Sequence, residues 1–339
     1  MITGDHKETG LAIAKELDMV EEGDIAVDGK ELDRMSEGQL QADLDRITVY
    51  ARVSAENKIR IIQGWKQHGA IVAMTGDGVN DAPAIKEADI GIAMGIKGSE
   101  VTKEASDMVI TDDNFATIVN AVEEGRGIYD NIIKFVNYLL SSNIAEILVI
   151  LLGILLGFTD SMGHPFVPLM PVQLLLLNLI TDGFPAIALA LDPLDPGAMR
   201  RPPRGPTESI VFSGSAIQLL LISVLVAAAA LIVCQVGLKR DAATAHTLTL
   251  TTLVALELVK VQMIRSRYNI GFFSNPWLIF SLIGSFAFQV LVIYLPFFQE
   301  VFGTTSLTAG DWIIIGSITI LVWVAGSLIN TLFKRFRRQ

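Results

Sequence analysis

The sequence predicts a chain in two parts: a parallel, doubly wound α/β segment over the first third, then an all-α bundle of six membrane spans. Three observations carry this. The 339 residues are 51% hydrophobic and only 18% charged, with a mean hydropathy of +0.49, whereas a soluble domain carries about a quarter charged residues. Residues 1–130 hold 26 Asp and Glu against 13 Lys and Arg, while residues 131–339 hold 10 against 13. Short apolar runs alternate with helical segments before residue 131, and long apolar runs follow it. Together these exclude a wholly soluble enzyme, a disordered chain and a nucleic-acid binder, which would present a basic face. The one cysteine, Cys234, lies in an apolar run and leaves no disulfide framework. The opening Met1-Ile2-Thr3-Gly4-Asp5 has neither the basic start nor the apolar core of a secretion signal.

The six runs lie near 133–158, 170–191, 211–236, 246–264, 276–298 and 312–333, each close to the ~20 residues that a bilayer core requires. Alternate loops differ in charge. Arg200, Arg201, Arg204, Arg265, Arg267, Lys334, Arg335, Arg337 and Arg338 fall on one side, and only Lys239 and Arg240 on the other. Nine against two assigns the first set, both termini and residues 1–116 to the cytoplasmic side. Residues 117–132 form a stalk helix leading into a membrane domain over 133–339.

In the first third the expected strands are Ile47–Tyr50, Ala70–Met74, Ile90–Ala93 and Met108–Ile110. Helices over Ser54–Gln67, opened by a Ser cap, and Ala82–Glu87 alternate with them. Sheets of this kind bind ligands at the carboxyl ends of their strands. Two such ends repeat a theme: Thr3-Gly4-Asp5, and Thr75-Gly76-Asp77-Gly78-Val79-Asn80-Asp81. Glycines let backbone amides approach a phosphate, threonine hydroxyls bond its oxygens, and carboxylates hold Mg²⁺ beside it. A lone T-G-D is a common turn; the seven-residue string is far more specific. Lys58, early in a helix, is placed to bring an ammonium to phosphate oxygens.

The strings Met1–Asp5, Tyr50-Ala51-Arg52-Val53 with Lys58, and Thr75–Ala84 resemble the phosphorylation domain of P-type cation ATPases, which has the haloacid-dehalogenase-like (Rossmannoid) fold. The resemblance implies that Asp77 coordinates a catalytic Mg²⁺, supported by Asn80 and Asp81. It also implies that Lys58, Thr3 and Gly4 contact the phosphoryl group, with Asp5 close by. Soluble phosphatases share G-D-G-x-N-D; the six spans argue against that reading.

Ionisable groups inside spans are costly and are functional candidates. Asn143 and Glu146 are spaced i, i+3 and are expected on one face of the first span. Asn178, Thr181 and Asp182 follow helical spacing in the second, and Glu257 sits in the fourth. Pro185 cannot donate to the carbonyl of Thr181, which predicts a broken helix lining a polar cavity. These are hard oxygen ligands, suited to Ca²⁺. Hydrogen bonding between helices is a competing use for the two asparagines, but a poor one for three carboxylates carrying −3.

Ser142-Asn143-Ile144-Ala145-Glu146 and Asn178–Gly183 are similar to the fifth and sixth membrane helices of sarcoplasmic-reticulum-type Ca²⁺ pumps. Sodium/potassium pumps usually show Asp where Asn178 stands, and proton/potassium pumps Lys where Ser142 stands. Plasma-membrane Ca²⁺ pumps lack the acid at 146 and the threonine at 181. The sequence sides with the two-site Ca²⁺ type, and Glu257 matches the acid of the eighth helix. Lys260, at i+3 from Glu257, is spaced to pair with it and to supply positive charge in place of an ion.

The resemblance implies the C-terminal portion of an ATP-driven Ca²⁺ pump, working through an aspartyl phosphate and exporting Ca²⁺ from the cytoplasm of a prokaryotic cell. Such pumps phosphorylate D-K-T-G-T, a string this sequence does not contain. The expected partners are therefore the lipid bilayer, Ca²⁺ and an N-terminal portion carrying the ATP site, without which the chain is inactive. Met1 falls inside the M-I-T-G-D motif, as a truncated chain or a misassigned start would place it. The alternatives are a pump for Mn²⁺, Na⁺ or H⁺, or a non-catalytic membrane protein that binds cations or regulates a pump. From Phe115 to Phe158 the chain reads as nearly continuous helix, interrupted at Gly125 and Gly127.

Overall fold

The computed structural model describes residues 1–205 and 216–336, and it divides into two compact units, Met1–Ala121 and Val122–Gln339. The first alternates strand and helix: β1 (Ile2–Thr3), α1 (Lys7–Glu16), β2 (Ile25–Asp28), α2 (Gly29–Arg34), α3 (Glu37–Asp43), β3 (Ile47–Ala51), α4 (Ala55–Gln67), β4 (Ala73–Gly76), α5 (Ala82–Glu87), β5 (Ile90–Met94), α6 (Glu100–Ala105) and β6 (Met108–Ile110). Local chemistry sets many of the boundaries. Asp28 with Glu31, and Ser36 with Gln39, form capping boxes that open α2 and α3. Ser54 accepts from the Asn57 amide at 3.2 Å and starts α4, as its sequence position predicts.

The strands do not form the single sheet that the sequence suggests. They make two three-stranded sheets, ordered β1-β3-β2 and β4-β5-β6, with every pairing parallel. Among the described residues no strand pairs with the outer edge of β1 or of β4. Each sheet has its own small core, and α4 serves both: Ile61 packs with Leu32, Leu40 and Leu44, while Ile62 packs with Met74 and Ile85. The strand expected at Ala70–Met74 is shifted to Ala73–Gly76. The Val72 carbonyl accepts from the amides of Asp89 and Ile90, so the register with β5 starts at Ala73 and carries Thr75 and Gly76 inside the ladder.

α7 (Phe115–Leu155) leads into the second unit, followed by α8 (Pro171–Leu176), α9 (Gly183–Leu189), α10 (Ala216–Leu238), α11 (Ala242–Arg265), α12 (Pro276–Tyr294), α13 (Pro296–Phe302) and α14 (Ala309–Phe336). Six of these segments are long and apolar enough to cross a membrane, with α8, a π turn at Leu177–Thr181 and α9 together making the second. The expected span near 276–298 ends at Tyr294, where Leu295-Pro296 opens α13. The first residues of the span near 211–236 lie outside the described residues.

α11 is the central helix: 83% of its most apolar stretch is buried, against 17% for α14. It carries five buried threonines. Thr247, Thr249 and Thr251 donate to the carbonyls of Ala243, Ala245 and Thr247, one turn back, at 2.7–2.8 Å, which satisfies hydroxyls inside an apolar bundle. Gly125 and Gly127 do not interrupt α7. At Gly127 an added Cβ would meet Leu194 Cδ2 at 1.6 Å; the glycine makes room for the loop rather than breaking the helix.

That loop is tied down by Asp192. Its fully buried carboxylate accepts from Lys134 Nζ at 2.8 Å, from Arg265 Nε at 2.9 Å and from Asn275 Nδ2 at 3.1 Å. Asn131 donates to its backbone carbonyl at 2.9 Å, and Asp130 pairs with Arg201. α7, the loop, the end of α11 and the cap of α12 therefore meet on one anion. Asp192→Ala leaves two buried cations without their counter-charge and is expected to lower stability by about 3–5 kcal/mol. Asn275→Ala, which removes a neutral donor, should cost about 1 kcal/mol. Thermal unfolding of the two variants in detergent compares them.

In the first unit, a hydrogen bond from the Thr48 hydroxyl holds the Asp24 carboxyl below its ordinary range. Backbone amides do the same for Asp28 and Asp89. Groups depressed on folding stabilise while ionised, so their contribution is intact above their unfolded values and is lost as pH falls through the folded ones. Amide protection over residues 20–52, corrected for intrinsic exchange, should therefore fall as pH drops below about 4.

Candidate functional site

Two sets of polar residues come together, one in each unit. In the first, the carboxyl ends of β1 and β4 line a cavity of about 550 Å³. Thr3 and Gly4 enter from β1, Thr75, Gly76 and Asp77 from β4, Lys58 from α4, and Asp81 from the turn before α5. Lys58 forms an ion pair with Asp81, whose other oxygen accepts from the Gly78 amide at 3.3 Å. Asp77 is exposed and its backbone carbonyl accepts from the Ser99 amide at 3.0 Å, which anchors the loop and leaves the carboxylate toward the cavity. The Thr3 hydroxyl accepts from the Asp5 amide at 3.1 Å. An ammonium, two hydroxyls, two carboxylates and glycine backbone around one opening suit an anion beside a divalent cation. Asp5 and Asn80 are both exposed and do not line the cavity.

The second set lies inside the bundle. Glu146 of α7, Asp182 between the π turn and α9, and Glu257 of α11 are all buried, and each offers an oxygen within 4.8 Å of the others. Asn178 Nδ2 donates to Glu146 Oε2 at 2.9 Å, and the Tyr138 hydroxyl donates to Asp182 Oδ1 at 2.9 Å. The remaining oxygens, Glu146 Oε1, Asp182 Oδ2 and both of Glu257, are buried with no donor. Four buried carboxylate oxygens without donors are an arrangement that native interiors avoid unless something else meets them.

The π turn explains how Asp182 reaches this place. Pro185 cannot donate to the Thr181 carbonyl, and the helix widens instead of breaking, with the Asp182 amide bonded five residues back to Leu177 at 2.8 Å. Thr181 is buried beside Asp182. Asn178 is exposed on one side and reaches Glu146 on the other.

Two expectations need correction. Asn143 does not share the face of Glu146: it is exposed, while the buried stripe of α7 runs through Tyr138, Ser142 and Glu146, and Asn143 stands about 100° beyond Ser142. Lys260 does not sit on Glu257; its ammonium donates to the Ser142 hydroxyl at 2.6 Å, with the Tyr138 ring centroid 5.2 Å away. Tyr138 was not legible as a site residue, although 138, 142 and 146 fall at i, i+4 and i+8. Nothing local in the sequence marks Asp192 as the centre of a clasp, because its partners come from positions 131, 134, 265 and 275.

The family described as cation transporting ATPase, C-terminus, matches residues 166–332. A calcium-transporting ATPase of Bacillus subtilis is 43% identical over 338 residues, covering 97% of this chain and 37% of that protein. Calcium-transporting ATPase 1 of Lactococcus lactis is 39% identical over 344 residues, covering all of this chain and 38% of that protein. The human calcium-transporting ATPase type 2C member 1 is 38% identical over 336 residues, covering 97% and 36%. The chain thus spans under two fifths of the length of these relatives.

A Cβ at position 76 would stand 2.5 Å from that of Asp81. Gly76→Ala should push Asp81 away from Lys58 and raise the acylation rate of that lysine by roughly tenfold, equivalent to about 1.4 kcal/mol. Mass spectrometry of labelled peptides measures it.

Proposed function

Because this chain belongs to the P-type cation-transporting ATPases, we propose that it supplies the ion path and part of the phosphoryl-handling domain of a pump that exports Ca²⁺ from the cytoplasm, driven by ATP through an aspartyl phosphate. The observation that carries the ion assignment is the buried trio Glu146, Asp182 and Glu257, with four oxygens lacking donors. Ca²⁺ takes six to eight hard oxygens, and carboxylates, the Thr181 carbonyl and the Asn178 side chain are of that class. Water or residues beyond those described would complete the shell.

On the cytoplasmic side, the first unit is an incomplete haloacid-dehalogenase-like domain. Support comes from its two parallel sheets, whose edges β1 and β4 line one cavity. Asp77 would hold Mg²⁺ there, and the ion would neutralise charge on the transferred phosphoryl group. Lys58, kept in place by Asp81, would contact the phosphoryl oxygens together with Thr3 and Gly4. Asp5 and Asn80 stand in the turns that follow β1 and β4 and would support the phosphate site from beside it. This sequence contains no D-K-T-G-T string to carry the phosphorylated aspartate. The nine basic residues in alternate loops support a cytoplasmic position for the first unit and both termini. The short loop around Gly237–Ala245 fits a pump of the prokaryotic plasma membrane.

The test is ATP-dependent ⁴⁵Ca²⁺ uptake into everted membrane vesicles containing the natural protein. Glu257→Gln and Asp182→Asn are each expected to weaken the apparent Ca²⁺ affinity at least roughly tenfold. Asp77→Asn should abolish uptake and leave equilibrium Ca²⁺ binding in place. Uptake of normal affinity in both carboxylate variants would remove the trio from the ion path. An antibody against Glu21–Asp45 should detect, in membranes of the source cells, a band more than twice the 36.8 kDa of this chain.

A further inference from the structure

Two consecutive carbonyls beside the Asp77 carboxylate are held by α6, a helix that lines no part of the cavity. β4 pairs with β5 as far as Gly76, and there the chain leaves the ladder. The Asp77 carbonyl accepts from the Ser99 amide at 3.0 Å, and the Gly78 carbonyl from the Thr102 hydroxyl at 3.0 Å. A peptide unit is planar, so these two bonds fix the planes on either side of Gly78, while the ladder fixes the chain before Asp77. The direction of the Asp77 side chain follows from both. Thr102 is fully buried. Its hydroxyl proton goes to Gly78, so the Ser99 hydroxyl, 2.6 Å away, is the donor between the two. Ser99 also caps α6, accepting from the Thr102 amide at 3.2 Å. A cap needs only the serine; the threonine hydroxyl is turned out of the helix to the loop. The segment that carries Ser99 is itself fastened. Asp113 accepts from the amides of Ile96 at 3.0 Å and Lys97 at 2.8 Å. At Gly98 a Cβ would stand 1.9 Å from the Met94 carbonyl oxygen, so the turn closes tightly on β5.

We propose that Thr102, oriented by Ser99, is a positioning residue for Asp77 and sets where its carboxylate stands to receive Mg²⁺. This rests on the reading of Asp77 given above and goes beyond it to a residue outside the Thr75–Asp81 string. The bonds that carry it all join residues within 76–113. Thr102 touches neither the cavity nor an ion; it acts through the Gly78 carbonyl. Without its hydroxyl that carbonyl keeps only the Asp81 amide, at 2.9 Å. The plane after Gly78 is then free to turn, and the carboxylate one residue earlier loses its fixed direction. Hydrogen bonds that orient a metal-bearing side chain typically govern metal affinity by ten- to a hundredfold, roughly. Valine at 102 keeps the shape of threonine and removes the donor, whereas serine keeps the donor.

The experiment is amide hydrogen exchange, read by mass spectrometry on peptides covering residues 76–81, in the natural protein purified in detergent with Ca²⁺ chelated. Mg²⁺ is titrated into wild type, Thr102→Val, Thr102→Ser and Asp77→Asn. Mg²⁺ should slow exchange in the wild type, and Asp77→Asn should abolish that response. Thr102→Val should raise the Mg²⁺ half-point at least roughly tenfold, and Thr102→Ser should bring it back to within about twofold of wild type. Faster exchange in Thr102→Val at an unchanged half-point would make Thr102 a prop of the loop alone; that overturns the proposal and leaves Asp77 as the Mg²⁺ ligand. Equal weakening in Thr102→Ser would overturn it too, because the hydroxyl would not be what matters. No response in the wild type, or a normal one in Asp77→Asn, would overturn the reading of Asp77 itself and the proposal with it. Should Thr102→Val fail to accumulate, Thr102→Cys, whose thiol is a weak donor, takes its place and should raise the half-point about threefold or more. An unchanged half-point there would overturn the proposal.

Discussion

A charge inside a helix bundle has to be met within a few ångströms or it does not stay ionised, and this constraint organises the second unit. It is met in two ways. Around Asp192 the balance is closed: one carboxylate faces two cations and an amide, and Arg265 spends its further donors on the carbonyl of Phe272 and the hydroxyl of Ser274. Around Glu257 the balance is open, with oxygens that meet no donor. The two centres use the same residue types and lie on the same helices. What separates the two centres is whether the sum of charge and of donors comes out complete.

The first unit poses a milder version of the problem. Its cavity is open to water, so Lys58 and Asp81 are held by one another and by a backbone amide rather than by deep burial. Precision comes from sterics. Gly76 has no side chain because the Asp81 side chain occupies the space where a Cβ would stand. Arg52, at the end of β3, adopts a left-handed backbone with φ of 50°, an uncommon conformation for a residue with a side chain, and it turns the chain toward α4 and Lys58.

Much of this was legible in the sequence, and the failures share a cause. Long apolar runs set the spans because hydropathy acts residue by residue, and the Thr75–Asp81 string set the cavity because one turn supplies much of it. The shift of β4 and the division into two sheets were not legible, since strand ends and sheet order depend on which neighbour supplies the partner. Asn143 misled because i, i+3 spacing is about 60° off a common face, and that error decides between buried and exposed at the border of a stripe. Gly127 looked like an interruption, but the reason for it is Leu194, 67 positions away. The Asp192 clasp joins residues from four stretches of chain, and no local pattern announces such a meeting.

The contacts of α7 have one further consequence. Gly127, Asn131, Lys134, Tyr138, Ser142 and Glu146 recur every three or four residues, so they form one stripe that winds slowly about the helix, about 28 Å long at 1.5 Å per residue. Leu194, Asp192, Asp182, Lys260 and Asn178 engage that stripe in turn. A helix turns about 100° per residue; were α7 to roll by that amount, Arg126 or Ile128 would face Leu194 and the partners of all the others would be lost together. The loop at one end and the carboxylates at the other are therefore keyed to a single angular setting of one shaft, as cams are.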